Sequence, residues 1–361
     1  MREIVIVIRD LYLEPGLTAG AGRGAGGRWG EGDGDGGGEG AAPAIEQLAR
    51  FGDKAALADG WRAWTAHWLG LPQHAAAAPA SIAAAALPDV AADCAVWIAT
   101  PLHLIAGLTS VHFDRRSMLH LPDTELAALA ASFRDTFRGS GFELRPLDGG
   151  ELLLCGPTVH APSTTTEPAR MLLTSVAQAL PAGEGAPVLR RLGAEIEMWL
   201  HGHRVNDERA RRGAPPIASL WVWGGGGAPV APAARPAAVQ DTAAAFGSDA
   251  YVCGLWRLAG RETRPIPVDW AAVIGEPGAQ SALGVVEVAE LLHANSSWTL
   301  ADAVAEIDRR LLSPSLAALR RGELDRLLLL ANDHALSLRA ANRWRMWRRI
   351  RTARRGIEAL A

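Results

Sequence analysis

Lysine is nearly missing: Lys54 is the only one among 36 basic residues. Arginine therefore carries almost all the positive charge, and an arginine cluster says less about a polyanion partner than it would elsewhere. With a formal net charge of −3, the average composition does not favour nucleic acid. Only three cysteines occur, Cys94, Cys155 and Cys253, far apart and without CxxC spacing. Neither a zinc-ligand motif nor a disulfide framework is indicated by that spacing, which fits a reducing cytoplasm. Long hydrophobic runs are lacking too. The N-terminal IVIVI is followed at once by Arg9 and Asp10, unlike a secretory signal, and no stretch of membrane-spanning length avoids charge or proline. The expected location is cytoplasmic.

What is present is alternation of apolar runs with amphipathic stretches over 361 residues, enough for two units. EIVIVI (3–8) has the unbroken β-branched pattern of a strand buried on both faces, with Asp10 at its carboxyl end, where open α/β sheets place ligands. Residues 19–42 are glycine-rich and of low complexity, a flexible loop rather than a nucleotide fingerprint, because the GxGxxG spacing and a following helix are missing. PAIEQLARF predicts a helix stopped by Gly52, and GWRAWTAHWLGLP one whose face carries Trp61, Trp64 and Trp68. CAVWIATP (94–101) reads as a second buried strand. After it come an amphipathic helix (TELAALAASFRDTFRGSG), a hairpin about Asp148-Gly149-Gly150 and a further helix ending in His201 and His203. The parallel pattern is then expected to resume with SLWVWGGGG, AYVCGL, LGVVEVAEL and LDRLLLLAND. TLADAVAEIDRRLLSPSLAALRRG is the strongest helix pattern.

Four segments carry a family likeness: PAIEQLARFG; VNDERARRGAPPIASLWVWGGG, with Asn206, Arg209, Gly213, Pro216, Trp221, Trp223 and Gly224; AEIDRR (305–310); and LLLLANDHA, which contains Asp333-His334. In these the chain resembles the cofactor-independent, archaeal-type phosphoglycerate mutases of the alkaline phosphatase superfamily, and most closely a bacterial family labelled phosphoglycerate mutase or RpfE-type regulatory protein. The resemblance implies an α/β fold: an alkaline-phosphatase-like, mostly parallel sheet flanked by helices, built from 1–100 and 215–361, with an α+β domain inserted at 101–214. It also implies a two-metal site for manganese or zinc, to which Asp10, Asp333 and His334 would be the matching ligands.

Elsewhere the sequence departs from that pattern. Trp61 and Arg62 stand where the nucleophile turn belongs, with Thr65 and Ser81 the nearest hydroxyls. Glu287, Glu290 and His293 replace an Asp/His set, and RAANRWRMWRR holds no histidine. The expectation is a catalytically degenerate relative, without a metal cofactor, that binds a small phosphorylated or acidic ligand in a regulatory role. Asn206, Arg209, Arg212, Gly224 and Gly225 are the candidate ligand-binding residues, since guanidinium groups and a glycine backbone both suit phosphate or carboxylate. The alternative is an active metal-dependent mutase or phosphatase. His160 lies in a Ser/Thr-rich loop without a catalytic motif around it. The C-terminal Arg/Trp tail, with Trp344 and Trp347, is a candidate docking segment for a protein partner; a nucleic-acid role is disfavoured.

Overall fold

The computed structural model describes residues 2–12, 42–107, 111–157, 163–172, 176–230, 243–275 and 281–344. His160, nearly all of the glycine-rich 19–42 stretch and the tail from 345 onward lie outside them. The chain divides into two compact units: 1–64 with 240–247 and 264–361, and 65–239 with 248–263.

The first unit is a mixed α/β fold on a six-stranded, mostly parallel sheet flanked by helices. Its strands run in the order Asp53–Ala56, His334–Arg339, Arg326–Ala331, Glu3–Ile8, Ser281–Val286, Ala243–Phe246. Glu3–Ile8 is parallel to both of its neighbours and Ala243–Phe246 extends the parallel set, whereas the last two strands toward the Asp53 edge are antiparallel. All six residues of EIVIVI are buried, which is why they show no alternation. On one face Ile4, Ile6, Ile8, Leu327 and Leu329 pack with Ile45, Leu48, Val304, Ile307, Leu312 and Leu316 of the flanking helices.

The strongest helical pattern folds as Leu300–Ile307, a π-helical turn Asp308–Leu312, and Ser313–Arg321. A Thr299/Asp302 capping box starts it, and Gly322, at φ +81°, ends it. Pro314 explains the π turn: proline has no N–H and crowds the carbonyl four residues back, and the wider turn just before it absorbs both effects.

The second unit carries a four-stranded antiparallel sheet in the order Glu143–Pro146, Leu152–Pro157, Cys94–Leu102, Ser219–Gly227. Leu126, Leu129 and Phe133 of helix Asp123–Thr136, and Leu189, Leu192, Ile196 and Leu200 of helix Ala186–His201, cover the sheet face formed by Trp97, Leu144, Leu152, Leu154 and Leu220. Three expectations change here. CAVWIATP and SLWVWGGGG are strands, but they pair with each other in this antiparallel sheet and not in the parallel one. AYVCGL is not a strand: Ala250–Leu258 is a helix capped by Asp249, which accepts from Val252 N at 3.0 Å. Every residue from Ala250 to Leu258 except Arg257 is buried, and a helix buried all round has the same unbroken apolar signature as a buried strand. Finally, the boundary between units falls at 64/65 rather than near 100, because both long strands of the second sheet go with the helices once assigned to the insert. Among the described residues no helix is long and apolar enough to cross a membrane.

Candidate functional site

In the first unit, three parallel strands deliver the sequence-predicted acids to one place. Ile8 pairs with Val286 on one side and Ala331 on the other, so Arg9-Asp10, Glu287 and Asn332-Asp333 all lie just beyond the carboxyl ends of the strands. Open α/β sheets bind ligands at that edge. Each residue's partners decide what chemistry is left to it.

Asp10 is fully buried, and its oxygens accept from Val288 N at 2.6 Å and Ala289 N at 2.8 Å. These N–H groups open the helix Val288–Ala294, whose own N-cap, Glu287, makes no side-chain cap. A carboxylate here satisfies two orphan donors and faces the positive end of the helix dipole. Asp10 thus caps a helix remote in sequence. Beside it Arg9 pairs with Glu287 at 3.0 Å, both nearly buried. Of the stand-ins for the metal-binding segment, then, Glu287 is held by an arginine, while Glu290 and His293 lie on the helix that Asp10 caps.

Asn332 and Asp333 are the two central residues of a hairpin between Arg326–Ala331 and His334–Arg339, at φ +51° and +60°. Two consecutive left-handed residues closing an antiparallel pair form a type I′ turn, for which Asn and Asp are favoured. The Asp333 carbonyl accepts from Leu57 N at 2.7 Å, and its Oδ1 accepts from the Tyr12 hydroxyl at 3.2 Å. His334 Nδ1 lies 2.9 Å from the Asn332 carbonyl oxygen. A carbonyl can only accept, so Nδ1 carries the proton and, in the neutral ring, Nε2 keeps its lone pair. Asn332, 6% exposed, buries an amide nitrogen and oxygen that find no hydrogen-bond partner among the described residues. Trp61, in the helix Gly60–Leu69, is buried, with the Arg62 guanidinium 4.6 Å over its ring.

Two divalent ions need many oxygen and imidazole donors in one cage. Among the described residues no group of three or more His, Cys, Asp or Glu side chains is gathered to hold even one ion. Asp10, Asp333 and His334 share an edge, but the described side chains there do not fit a two-metal centre.

The Asn/Arg/glycine block lies in the second unit. Asn206 donates to Leu200 O at 2.8 Å and Ile217 O at 2.9 Å, and accepts from Ile217 N at 2.8 Å. It ties the end of helix Ala186–His201 and helix Arg204–Arg211 to the segment entering the strand. Arg209 is buried; its Nε donates to Pro215 O at 2.7 Å and its guanidinium pairs with Glu125 at 2.6 Å. Arg212 pairs with the other oxygen of Glu125, yet its side chain remains 56% exposed. Two guanidinium groups on one carboxylate leave a net positive spot, open only at Arg212. No local signal in the sequence points to Glu125, which lies 84 residues from Arg209 in the first turn of another helix.

Just ahead of this block, His201 and His203 separate. His201 is exposed, whereas His203 is buried and caps helix Arg204–Arg211 by accepting from Val205 N at 3.2 Å. An accepting Nδ1 requires a neutral ring, and burial, aided by Arg204, pulls the His203 pKa below its usual value.

The glycine run completes the block, and it belongs to the strand Ser219–Gly227. Trp223 lies opposite Ile98 and Gly227 opposite Val96, so Gly224, Gly225 and Gly226 on one strand span the single residue Trp97 on the other. That is a bulge of three residues against one, in which Gly224 and Gly226 take φ +67° and +100°. A Cβ on Gly225 would stand 1.8 Å from the Val96 carbonyl oxygen. Gly224 N donates to Thr165 Oγ1 at 3.1 Å. The flanking indoles are pinned as well: Trp221 Nε1 donates to Thr166 O at 2.8 Å, and Trp223 Nε1 to Thr100 Oγ1 at 2.8 Å, which in turn donates to Glu151 at 2.6 Å. The glycines allow backbone to approach backbone. Of the alternative nucleophiles, Thr65 is fully buried in helix Gly60–Leu69, and Ser81 is buried in helix Pro79–Ala83.

Neither a family model nor a curated protein matches this chain. Among solved structures, it is similar to a cofactor-independent phosphoglycerate mutase from Thermoplasma acidophilum at 16% identity, with 99% of this chain and 98% of that one covered and a TM-score of 0.38. It is also similar to the PH0037 protein from Pyrococcus horikoshii at 13% identity, with 91% and 81% covered and a TM-score of 0.42. Neither likeness bears on activity.

Proposed function

We propose that the chain is a phosphoglycerate-mutase-like protein that has given up phosphoryl transfer and binds a small phosphorylated or acidic ligand in a regulatory role. The observation that carries this reading is the state of Asp10: both carboxylate oxygens are used on the Val288 and Ala289 N–H groups. Each oxygen keeps a further lone pair, but a cation there would have to share the carboxylate with the buried helix end that it caps. Arg212 is the cation best placed to meet an anion, because its partner Glu125 already answers the buried Arg209. In this reading Asn206, Arg209, Gly224 and Gly225 shape the ligand site from behind, and the C-terminal Arg/Trp segment reaches a protein partner.

One observation favours a second reading, an active manganese- or zinc-dependent phosphoglycerate mutase or phosphatase. Asp10, Asp333 and His334 do share the carboxyl edge of the parallel strands, and Tyr12 holds the Asp333 carboxylate there. Purified protein incubated with manganese or zinc and 3-phosphoglycerate separates the two. The first reading predicts no 2-phosphoglycerate or inorganic phosphate above the protein-free control, together with saturable 3-phosphoglycerate binding that Arg212→Gln weakens at least tenfold. Metal-dependent turnover abolished by Asp333→Ala establishes the second.

A further inference from the structure

The three cysteines are scattered in sequence, but the second sheet brings two of them together. In the register of Cys94–Leu102 against Leu152–Pro157, Cys94 stands opposite Pro157 and Val96 opposite Cys155. Alternate residues share a face, so Cys94 and Cys155 are diagonal neighbours on one side of the sheet. Each thiol influences the ionisation of the other, and the Cys94 thiol donates to Ala91 O at 3.0 Å. Cys253 is separate, with its sulfur 3.2 Å from Thr263 Oγ1. All three are free thiols; Cys94 is half-buried, whereas Cys155 and Cys253 are buried.

We propose that Cys94 and Cys155 form a redox modification site: a cross-strand dithiol that peroxide converts to an intrachain disulfide. The Cys94 thiolate attacks one peroxide oxygen, the O–O bond breaks, and hydroxide leaves to be protonated to water. The sulfenic acid so formed is attacked by the Cys155 sulfur; the S–S bond forms, the S–O bond breaks, and the oxygen departs as a second water with the Cys155 proton. Two thiols lose two electrons and one peroxide gains them. Diagonal partners start about 7 Å apart at Cα and a disulfide needs about 5.5–6 Å, so one strand end must close by about 1 Å. Cys94 is the first residue of its strand and Pro157 the last of the other, so that closure falls where pairing ends.

The order of attack follows from the surroundings. Burial raises the Cys94 thiol above its ordinary pKa, and it pushes Cys155 up to about 12. The Arg145 guanidinium opposes both shifts. The more accessible Cys94 therefore reacts first, and it reacts faster as pH rises. The bond would flank Val96, whose opposite neighbour is Gly227 at the glycine bulge, so oxidation would brace that bulge from the next strand.

Reduced full-length protein, freed of reductant and exposed to hydrogen peroxide at pH 7 and pH 9, tests this. Alkylation under denaturing conditions, followed by peptide mapping, reads the result. The site predicts that three titratable thiols fall to one, that the 94 and 155 peptides are joined two hydrogen masses light, that Cys253 is alkylated, and that the rate is at least several-fold higher at pH 9. Cys155→Ser is expected to leave a sulfenic acid on Cys94 that dimedone traps. Retention of all three thiols would overturn the proposal, as would a bond to Cys253, a bond between chains, or over-oxidation of Cys94 in the wild type without a disulfide.

Discussion

Replacing Glu125 by alanine is expected to destabilise the protein by about 3–5 kcal/mol, the usual cost of breaking a buried ion pair by removing one partner. Arg209 is as buried as the acid it faces, and its Nε is already used on Pro215 O. Without Glu125 a full positive charge stays in the core with its NH groups unanswered. Arg212 marks the contrast: it shares the same acid but is half in water, so Arg212→Gln should cost no more than about 1 kcal/mol. Denaturant unfolding of the two variants measures the difference, and equal effects would show that the charge at position 209 is solvated. Because Arg209 and Asn206 together hold the segment that feeds the glycine strand, Glu125→Ala should also increase protease nicking across residues 211–218.

The other large effect is expected at Gly225. An alanine there would place a methyl group 1.8 Å from the Val96 oxygen and 2.7 Å from the Trp97 Cα. Both obstacles are backbone of the central strand, so no side chain can swing aside. The bulge must open or the rungs on either side must break, at a cost of about 3 kcal/mol or more. The control is Gly193, within helix Ala186–His201, where a Cβ meets nothing within 4 Å. Gly193→Ala should stabilise by about 0.5–1 kcal/mol, since alanine loses less backbone freedom in a helix. If Gly225→Ala unfolds at the wild-type denaturant concentration, the run is a loose loop and the account of the bulge is wrong.

These two sites show how far the sequence could be read. The strand Glu3–Ile8, the hairpin about Asp148–Gly150 and the helix beginning at Leu300 were legible because burial, turn chemistry and capping are local signals. Sheet membership was not. Cys94–Leu102 and Ser219–Gly227 have the apolar content of parallel core strands, and only their pairing, set by residues a hundred positions apart, puts them in an antiparallel sheet. Asn332-Asp333 lay in plain view between LLLLA and HALSL, a two-residue hairpin signal that the Asp-His dipeptide beside it obscured. The partners of the candidate site were beyond reach for the same reason as the sheets: Asp10 with Val288, Glu125 with Arg209, and Cys94 with Cys155 all meet only through tertiary structure.

A pattern runs through the first unit that no motif reports. Asp10 and Asp308 are both buried, and each caps a helix remote in sequence: Asp10 the one opening at Val288, Asp308 the one opening at Pro43, accepting from Ala44 N at 3.2 Å and Ile45 N at 2.8 Å. Burial raises the Asp308 pKa, and the two backbone hydrogen bonds and one from Ser313 oppose the rise. Its likeness to Asp10 makes AEIDRR and the first strand parts of one structural scheme, in which acids answer helix N-termini.

Unfolding of Asp10→Ala in the presence of EDTA, beside the wild type in the same buffer, tests that scheme most directly. A structural cap predicts a loss of about 2–3 kcal/mol with no metal present, from two buried N–H groups left without an acceptor, and the same loss after manganese is restored. Equal stability of the two proteins in EDTA, with a difference that emerges only when manganese is added, would make Asp10 a metal ligand and contradict the account.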